Sequence, residues 1–207
     1  FLLLAWSLTA VSADAAGLVM FSTTAASTGE KPQSKLFYHD GSYWGVLRGP
    51  DGVAIYEKVG SSWVRGAAAD NVLAGGQADV KWNGSTLYVL TYSSSPRLYE
   101  FTYRGTERLW VRSTGFPVAV PIPSGSETMV LDQDSTGRLW TTAEGGGNIN
   151  VYYSTSTDHR TWSSTPIVLQ SGVNTDDVSS VVAFGGNKIG AFWSDHNRDV
   201  FGVRYHN

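Results

Sequence analysis

The chain has 207 residues, with 15 Lys and Arg against 18 Asp and Glu and a formal charge of −3. Its basic residues are scattered rather than striped, which speaks against nucleic acid as a partner. It has no cysteine, which excludes disulfides, thiol catalysis and cysteine-bound zinc, while 23 Gly, 8 Trp and 10 Tyr with only 16% charged residues suit short, twisted strands and tight turns.

At the N-terminus, FLLLAWSLTAV (residues 1–11) is an apolar run of signal-peptide length, followed by Ala13-Asp14-Ala15, an A-x-A cleavage pattern. The run is too short for a comfortable membrane span. The usual basic start is missing and residue 1 is Phe. Residues 1–15 therefore read as a truncated signal peptide and residues 16–33 as a lead-in segment, in which GLVMFST has strand character. The expectation is a secreted or periplasmic protein with no membrane association after cleavage.

From residue 34 onward the chain repeats itself. The first unit reads FYHDGSYWGVL, VAIYEKV, SSWVRG; the second VKWNGSTLYVL, RLYEFTY, RLWVRS. The third reads VLDQDSTGRLWTT, INVYYST, RTWSST; the fourth VVAFGGNKIGAFW, VFGVRY. Trp44, Tyr88, Trp140 and Gly190 hold matching places just after the first turn, and Trp63, Trp110 and Trp162 hold the fourth-strand place. The spacing is roughly 45–52 residues, in the range of four-stranded propeller blades. Asp40-Gly41, Asn83-Gly84 and Gly185-Gly186-Asn187 are hairpin signals, because these residues tolerate positive φ, and Asp134 to Gly137 is a longer turn of the same kind. No stretch outside the leader carries a 3.6-residue apolar stripe. The predicted fold class is all-β: a β-propeller fragment of about four four-stranded antiparallel blades, at about 34–77, 78–125, 126–172 and 173–207, the last incomplete. A parent ring of six or seven blades is expected, since an open partial ring leaves unpaired edges.

Chemistry in such an arrangement belongs near the starts of the inner strands. Lys35, Asp79, Glu127 and Asp177 recur at those places, which would set them around one central mouth. Asp79, Glu127 and Asp177 are the candidate acid and base groups, and Lys35, Tyr38 and Trp82 the candidate ligand contacts. The same carboxylates could instead hold calcium through oxygen ligands, or merely cap strand ends in water. Asp132 to Gly137 is spaced loosely like a calcium loop, but a turn explains it better. No transition-metal site is expected, since His39, His159, His196 and His206 do not repeat at ligand spacing. His39 beside Asp40 and His196 beside Asp195 are candidate pairs. Tyr38, Tyr43, Trp44, Trp82, Tyr92 and Trp193 would stack on sugars only if exposed, and core is the default for them. No G-x-S-x-G, P-loop or HExxH pattern occurs.

STGEKPQSKLFYHDGSYWGVL (27–47), DQDSTGRLWTT (132–142), DDVSSVVAFGGNKIGAFWS (176–194) and STSTDHRTW (154–162) resemble secreted bacterial β-propellers of the sialidase-like group, the BNR or Asp-box repeat proteins. In the last segment Ser156, Asp158, Thr161 and Trp162 match the Asp-box, with His159-Arg160 where the family has its central Gly and with one residue fewer. The resemblance implies a turn-forming role for Asp158 and a packing role for Trp162. For a sialidase it further implies an arginine triad on a sugar carboxylate, a Tyr nucleophile backed by a Glu, and an Asp acid/base. No arginine stands at the inner-strand starts; Arg97, Arg138, Arg198 and Arg204 fall on later strands or turns. The leading expectation is therefore a secreted propeller that binds an extracellular ligand, carbohydrate above all, at its central mouth. The alternatives are a glycoside hydrolase or polysaccharide lyase using Asp79, Glu127 or Asp177, and a protein-interaction scaffold using the rim.

Overall fold

The computed structural model describes residues 34–49, 52–66, 73–92 and 94–207; the expected leader and lead-in lie outside these. The fold is all-β, with four antiparallel sheets in chain order. Sheet I holds β1 (Leu36–His39), β2 (Ser42–Gly49), β3 (Gly52–Val59) and β4 (Ser62–Arg65). Sheet II holds β5 (Gln77–Trp82), β6 (Thr86–Tyr92), β7 (Arg97–Arg104) and β8 (Leu109–Arg112), with the short β9 (Val118–Ala119) also paired to β7. Sheet III holds β10 (Met129–Gln133), β11 (Leu139–Gly145), β12 (Asn148–Tyr153) and β13 (Ile167–Ser171); sheet IV holds β14 (Ser179–Phe184), β15 (Lys188–Asp195) and β16 (Val200–His206). Among the described residues, helix is confined to the 3-10 turn Gly105–Glu107, and none of them forms a helix long and apolar enough to cross a membrane.

The turns follow from local chemistry. Asp40 and Gly41 both take positive φ (50° and 75°), the pairing of a type I′ hairpin turn whose twist suits the flanking strands. At the matching turn of sheet III the Asp134 carboxylate accepts from the Thr136 and Arg138 N–H groups at 2.9 and 3.0 Å, and its second oxygen accepts from the Trp140 indole at 2.7 Å. The repeat landmarks are thereby seated alike: Trp44 pairs with Phe37, Tyr88 with Lys81, Trp140 with Asp132 and Gly190 with Val182.

Because side chains alternate along each strand, every sheet offers one face to each neighbour. Phe37, Trp44, Ile55, Val80, Phe101 and Trp110 fill the junction of sheets I and II. Leu90, Leu98, Met129, Leu131, Leu139 and Trp162 fill that of II and III, and Val130, Trp140, Val151, Val181 and Ile189 that of III and IV. Each such side chain contributes about 1.5–3 kcal/mol on burial. The rings of Trp44 and Trp110 meet edge-on at 5.7 Å, a geometry worth about 0.5–1.5 kcal/mol more. The remaining faces are apolar and exposed: Leu36, Tyr38 and Tyr43 on sheet I, Phe192, Phe201 and Val203 on sheet IV.

The first strands converge, with β5 beside β10 and β10 beside β14. One expectation needs correcting. Trp63 lies in β4 and Trp110 in β8, but Trp162 precedes the fourth strand of sheet III, which is β13. Residues 154–162 form a closed loop instead. Thr155 N–H donates to the Thr161 carbonyl at 2.8 Å, Ser154 and Trp162 form a lone bridge, and the Trp162 indole donates to the His159 carbonyl at 3.2 Å. The indole is thus plugged into the junction of sheets II and III rather than carried on a strand.

Candidate functional site

On β5, Ala78 and Val80 face sheet I, so Asp79 and Lys81 face the other way, toward sheet III. Asp79 is 0% exposed. One carboxylate oxygen accepts the Leu131 N–H of β10 at 2.7 Å and the other accepts the Ser34 N–H before β1 at 2.5 Å. The Ser34 carbonyl in turn accepts Val80 N–H at 2.9 Å. One side chain of sheet II therefore ties the backbones of sheets I and III. Burial pushes the Asp79 carboxyl up to about 7, against its two backbone hydrogen bonds and the Lys35 ammonium. Burial also lowers the pKa of Lys35, while Asp79 supports its charge.

The pattern recurs one sheet further on. Asp132 of β10 meets the Lys81 ammonium at 2.5 Å and accepts the Ala183 N–H of β14 at 2.6 Å. Asp79 and Asp132 thus link neighbouring sheets, with oxygens turned to backbone donors rather than to solvent.

A second group forms where sheets III and IV meet. Asp177 lies just before β14 and is buried. It accepts from the Ser194 hydroxyl at 2.8 Å and from the N–H groups of His196 and Asn174 at 3.0 and 2.7 Å, and it faces His196 Nδ1 at 2.7 Å. Burial opposes its charge, but these hydrogen bonds outweigh burial and hold the carboxyl below its usual range. His196 therefore turns to Asp177, while neighbouring Asp195 pairs with Arg198 at 2.6 Å. The His196 side chain stays 61% exposed.

Glu144, which no sequence motif marks, sits near the end of β11 and is 3% exposed. The Gly147 N–H donates to it at 3.1 Å. Burial first, then the nearby charges of Glu127 and Asp177, raise its pKa. Glu127 itself is exposed. Buried around this junction are the Thr128 and Thr142 hydroxyls, the Ser179 hydroxyl and one oxygen of Asp195, none with a hydrogen-bond partner among the described residues. The signal for Glu144 is a carboxylate closing an apolar strand before Gly145-Gly146-Gly147, where turn N–H groups are free to cap it.

The aromatic candidates separate. Tyr38 is 58% exposed and meets Tyr43 edge-on at 5.1 Å. Trp82 is part of the packing of sheet I on sheet II, against Trp110 at 5.3 Å and His39 at 4.7 Å. His39 is held among rings rather than beside Asp40, whose carboxylate takes the Tyr103 hydroxyl at 2.8 Å. Asp158 ties its own turn, accepting from the Ser156 hydroxyl at 2.6 Å and the Arg160 N–H at 3.2 Å. Among the described residues no group of three or more His, Asp or Glu side chains is placed to hold a metal ion.

No family model matches this chain, and no curated protein matches it. Among solved structures it is similar to a hypothetical protein from Leishmania major, at a TM-score of 0.40 and 11% identity, over 83% of this chain. The chain spans 66% of the length of that protein.

Proposed function

We propose that the four sheets are blades of a β-propeller and that the chain is an extracellular ligand-binding module, taking carbohydrate at the edge where the first strands begin. The supporting observation is the junction of sheets III and IV. There Asp177 is saturated by fixed donors and locks the exposed His196 in place, with exposed Glu127 and buried Glu144 nearby. Rigidly held carboxylate and imidazole groups match the alternating donors and acceptors of sugar hydroxyls with little ordering loss. Asp79 has both oxygens engaged by backbone, which fits framing of the mouth rather than chemistry in it. The test is a glycan array with the intact chain and with Glu127→Gln and His196→Ala. The reading expects a ligand whose binding both variants weaken; ligands bound equally by all three proteins would overturn it.

A glycosidase or lyase is the second reading, favoured by one observation: Glu144 has a raised pKa and feels the charge of exposed Glu127. A buried carboxyl with a raised pKa is suited to act as a general acid. Turnover of polysaccharides that Glu144→Gln abolishes would establish it, and binding without turnover would discard it.

A further inference from the structure

The turn edge of sheet III, opposite the strand starts, carries a polar pocket that neither reading uses. Its floor comes from the β10–β11 turn and its wall from the closed loop 154–162. It encloses about 260 Å³, just under the range of about 300–1,000 Å³ for small-ligand sites. Arg138, Gln133, Thr136, Ser154, Thr157 and His159 are among the residues that line it.

We propose that this pocket binds a tetrahedral oxyanion, carried as a sulfate or phosphate group, with the Arg138 guanidinium as its principal contact. Three observations carry this. The lining holds one permanent cation and no carboxylate. The nearest acids in sequence are engaged elsewhere. Asp134 takes the Thr136 and Arg138 N–H groups, the Thr136 hydroxyl and the Trp140 indole, and Asp158 takes Ser156 and Arg160.

Second, the guanidinium is held but unspent. It lies over the Tyr153 ring at 5.3 Å and the Trp140 ring at 5.8 Å, a cation–π arrangement that fixes the plane while leaving the N–H fork free. No ion pair or hydrogen bond to its side chain occurs among the described residues. A planar fork with free donors is the geometry that recognises sulfate and phosphate oxygens in pairs.

Third, two of the polar groups that a neutral sugar would use are already committed. The Gln133 amide donates to Gly137 at 2.8 Å and accepts from Asn83 at 2.7 Å. The Ser154 hydroxyl accepts from Leu139 N–H at 3.0 Å and meets His159 Nδ1 at 3.1 Å. Burial keeps the pKa of His159 low, so the positive charge of the pocket rests on Arg138. A ligand rich in acceptors fits what remains.

The experiment titrates the intact chain with inorganic phosphate, with sodium sulfate, and with dextran sulfate against unsulfated dextran, following tryptophan fluorescence, since Trp140 lies under the guanidinium. Arg138→Gln is expected to weaken binding about tenfold or more, and Arg138→Lys to recover part of it, as a point charge without the fork. Lys188→Gln removes the same charge elsewhere and is expected to bind as the parent does. Preference for dextran sulfate over the free ions would identify a sulfated polymer as the source, and equal affinity per sulfate a free ion. Binding unchanged in Arg138→Gln, an equal loss in Lys188→Gln, or dextran bound as tightly as dextran sulfate would each overturn the proposal.

Discussion

Replacing Asp79 with Asn tests the tie between sheets through its proton. In the folded chain burial lifts this carboxyl from 3.8 to about 7. At about 1.4 kcal/mol per pKa unit, the folded state holds the proton by up to about 4 kcal/mol more than the unfolded chain does. Folded Asp79 stays protonated up to about pH 7, whereas the unfolded side chain ionises near 3.8. Between those values the folded state binds more protons, so this stabilisation is full below about pH 4 and is lost as pH rises through about 7. The amide of the Asp79→Asn variant carries no such proton. It would also set an NH2 against the N–H of Ser34 or Leu131, costing about 1–3 kcal/mol at every pH. Urea unfolding of both proteins, followed by tryptophan fluorescence from pH 4.5 to 7.5, isolates the difference. Acids held below their usual range, such as Asp134 and Asp177, act in the opposite sense at low pH but cancel between the two proteins. The parent's advantage over Asp79→Asn is expected to be largest near pH 4.5 and to shrink by about 3 kcal/mol by pH 7.5. An advantage that is constant, or grows with pH, would refute the reasoning.

Asp177→Ala strands the Ser194 hydroxyl and the N–H groups of Asn174 and His196, and should lower stability at pH 7 by about 3 kcal/mol. His196→Ala removes an exposed partner and should cost below about 1 kcal/mol; equal effects in a urea series would contradict the placement of His196 as the guest of Asp177. Trp162→Ala should cost about 3–5 kcal/mol by emptying its place between sheets II and III, while Asp158→Ala should move the urea midpoint far less. In Gly202→Ala a new Cβ would meet the Trp193 ring at 2.1 Å, so near-ultraviolet circular dichroism should change and the midpoint fall; an unchanged spectrum and midpoint would show that the ring does not pack on Gly202 this closely.

Much of the fold is legible in the chain. The turn residues Asp40-Gly41 and Asn83-Gly84 and the recurrence of Trp44, Tyr88 and Trp140 mark antiparallel hairpins, because period-two alternation and positive-φ turns are local properties. The fourth strand of sheet III is not legible, since Trp162 mimics Trp63 and Trp110 in spacing while a loop of its own hydrogen bonds keeps it off the ladder. The candidate site is legible only as a set of positions. Asp79 stands where a mouth residue would stand, but the donors that claim it belong to Ser34 and Leu131, 45 and 52 residues away. Glu144 is hidden because its neighbours Glu127 and Asp177 come from other strand connections. Such pairings arise from packing between sheets, which no window of sequence contains.

The ties made by Asp79 and Asp132 bear on how far the repeats are interchangeable. Arrays of like units are commonly described by an intrinsic stability per unit plus a nearest-neighbour coupling. Here the coupling has a polarity and a private code. At the rung where sheet II presents Lys81, sheet III presents Asp132, and that pair forms a contact between them. A chimera with sheet II duplicated in place of sheet III would juxtapose two lysines and leave the Ala183 amide without its acceptor. Units that look alike in tryptophan and glycine are therefore keyed to one sequential order, and shuffling them would be punished at the rungs where the first strands meet.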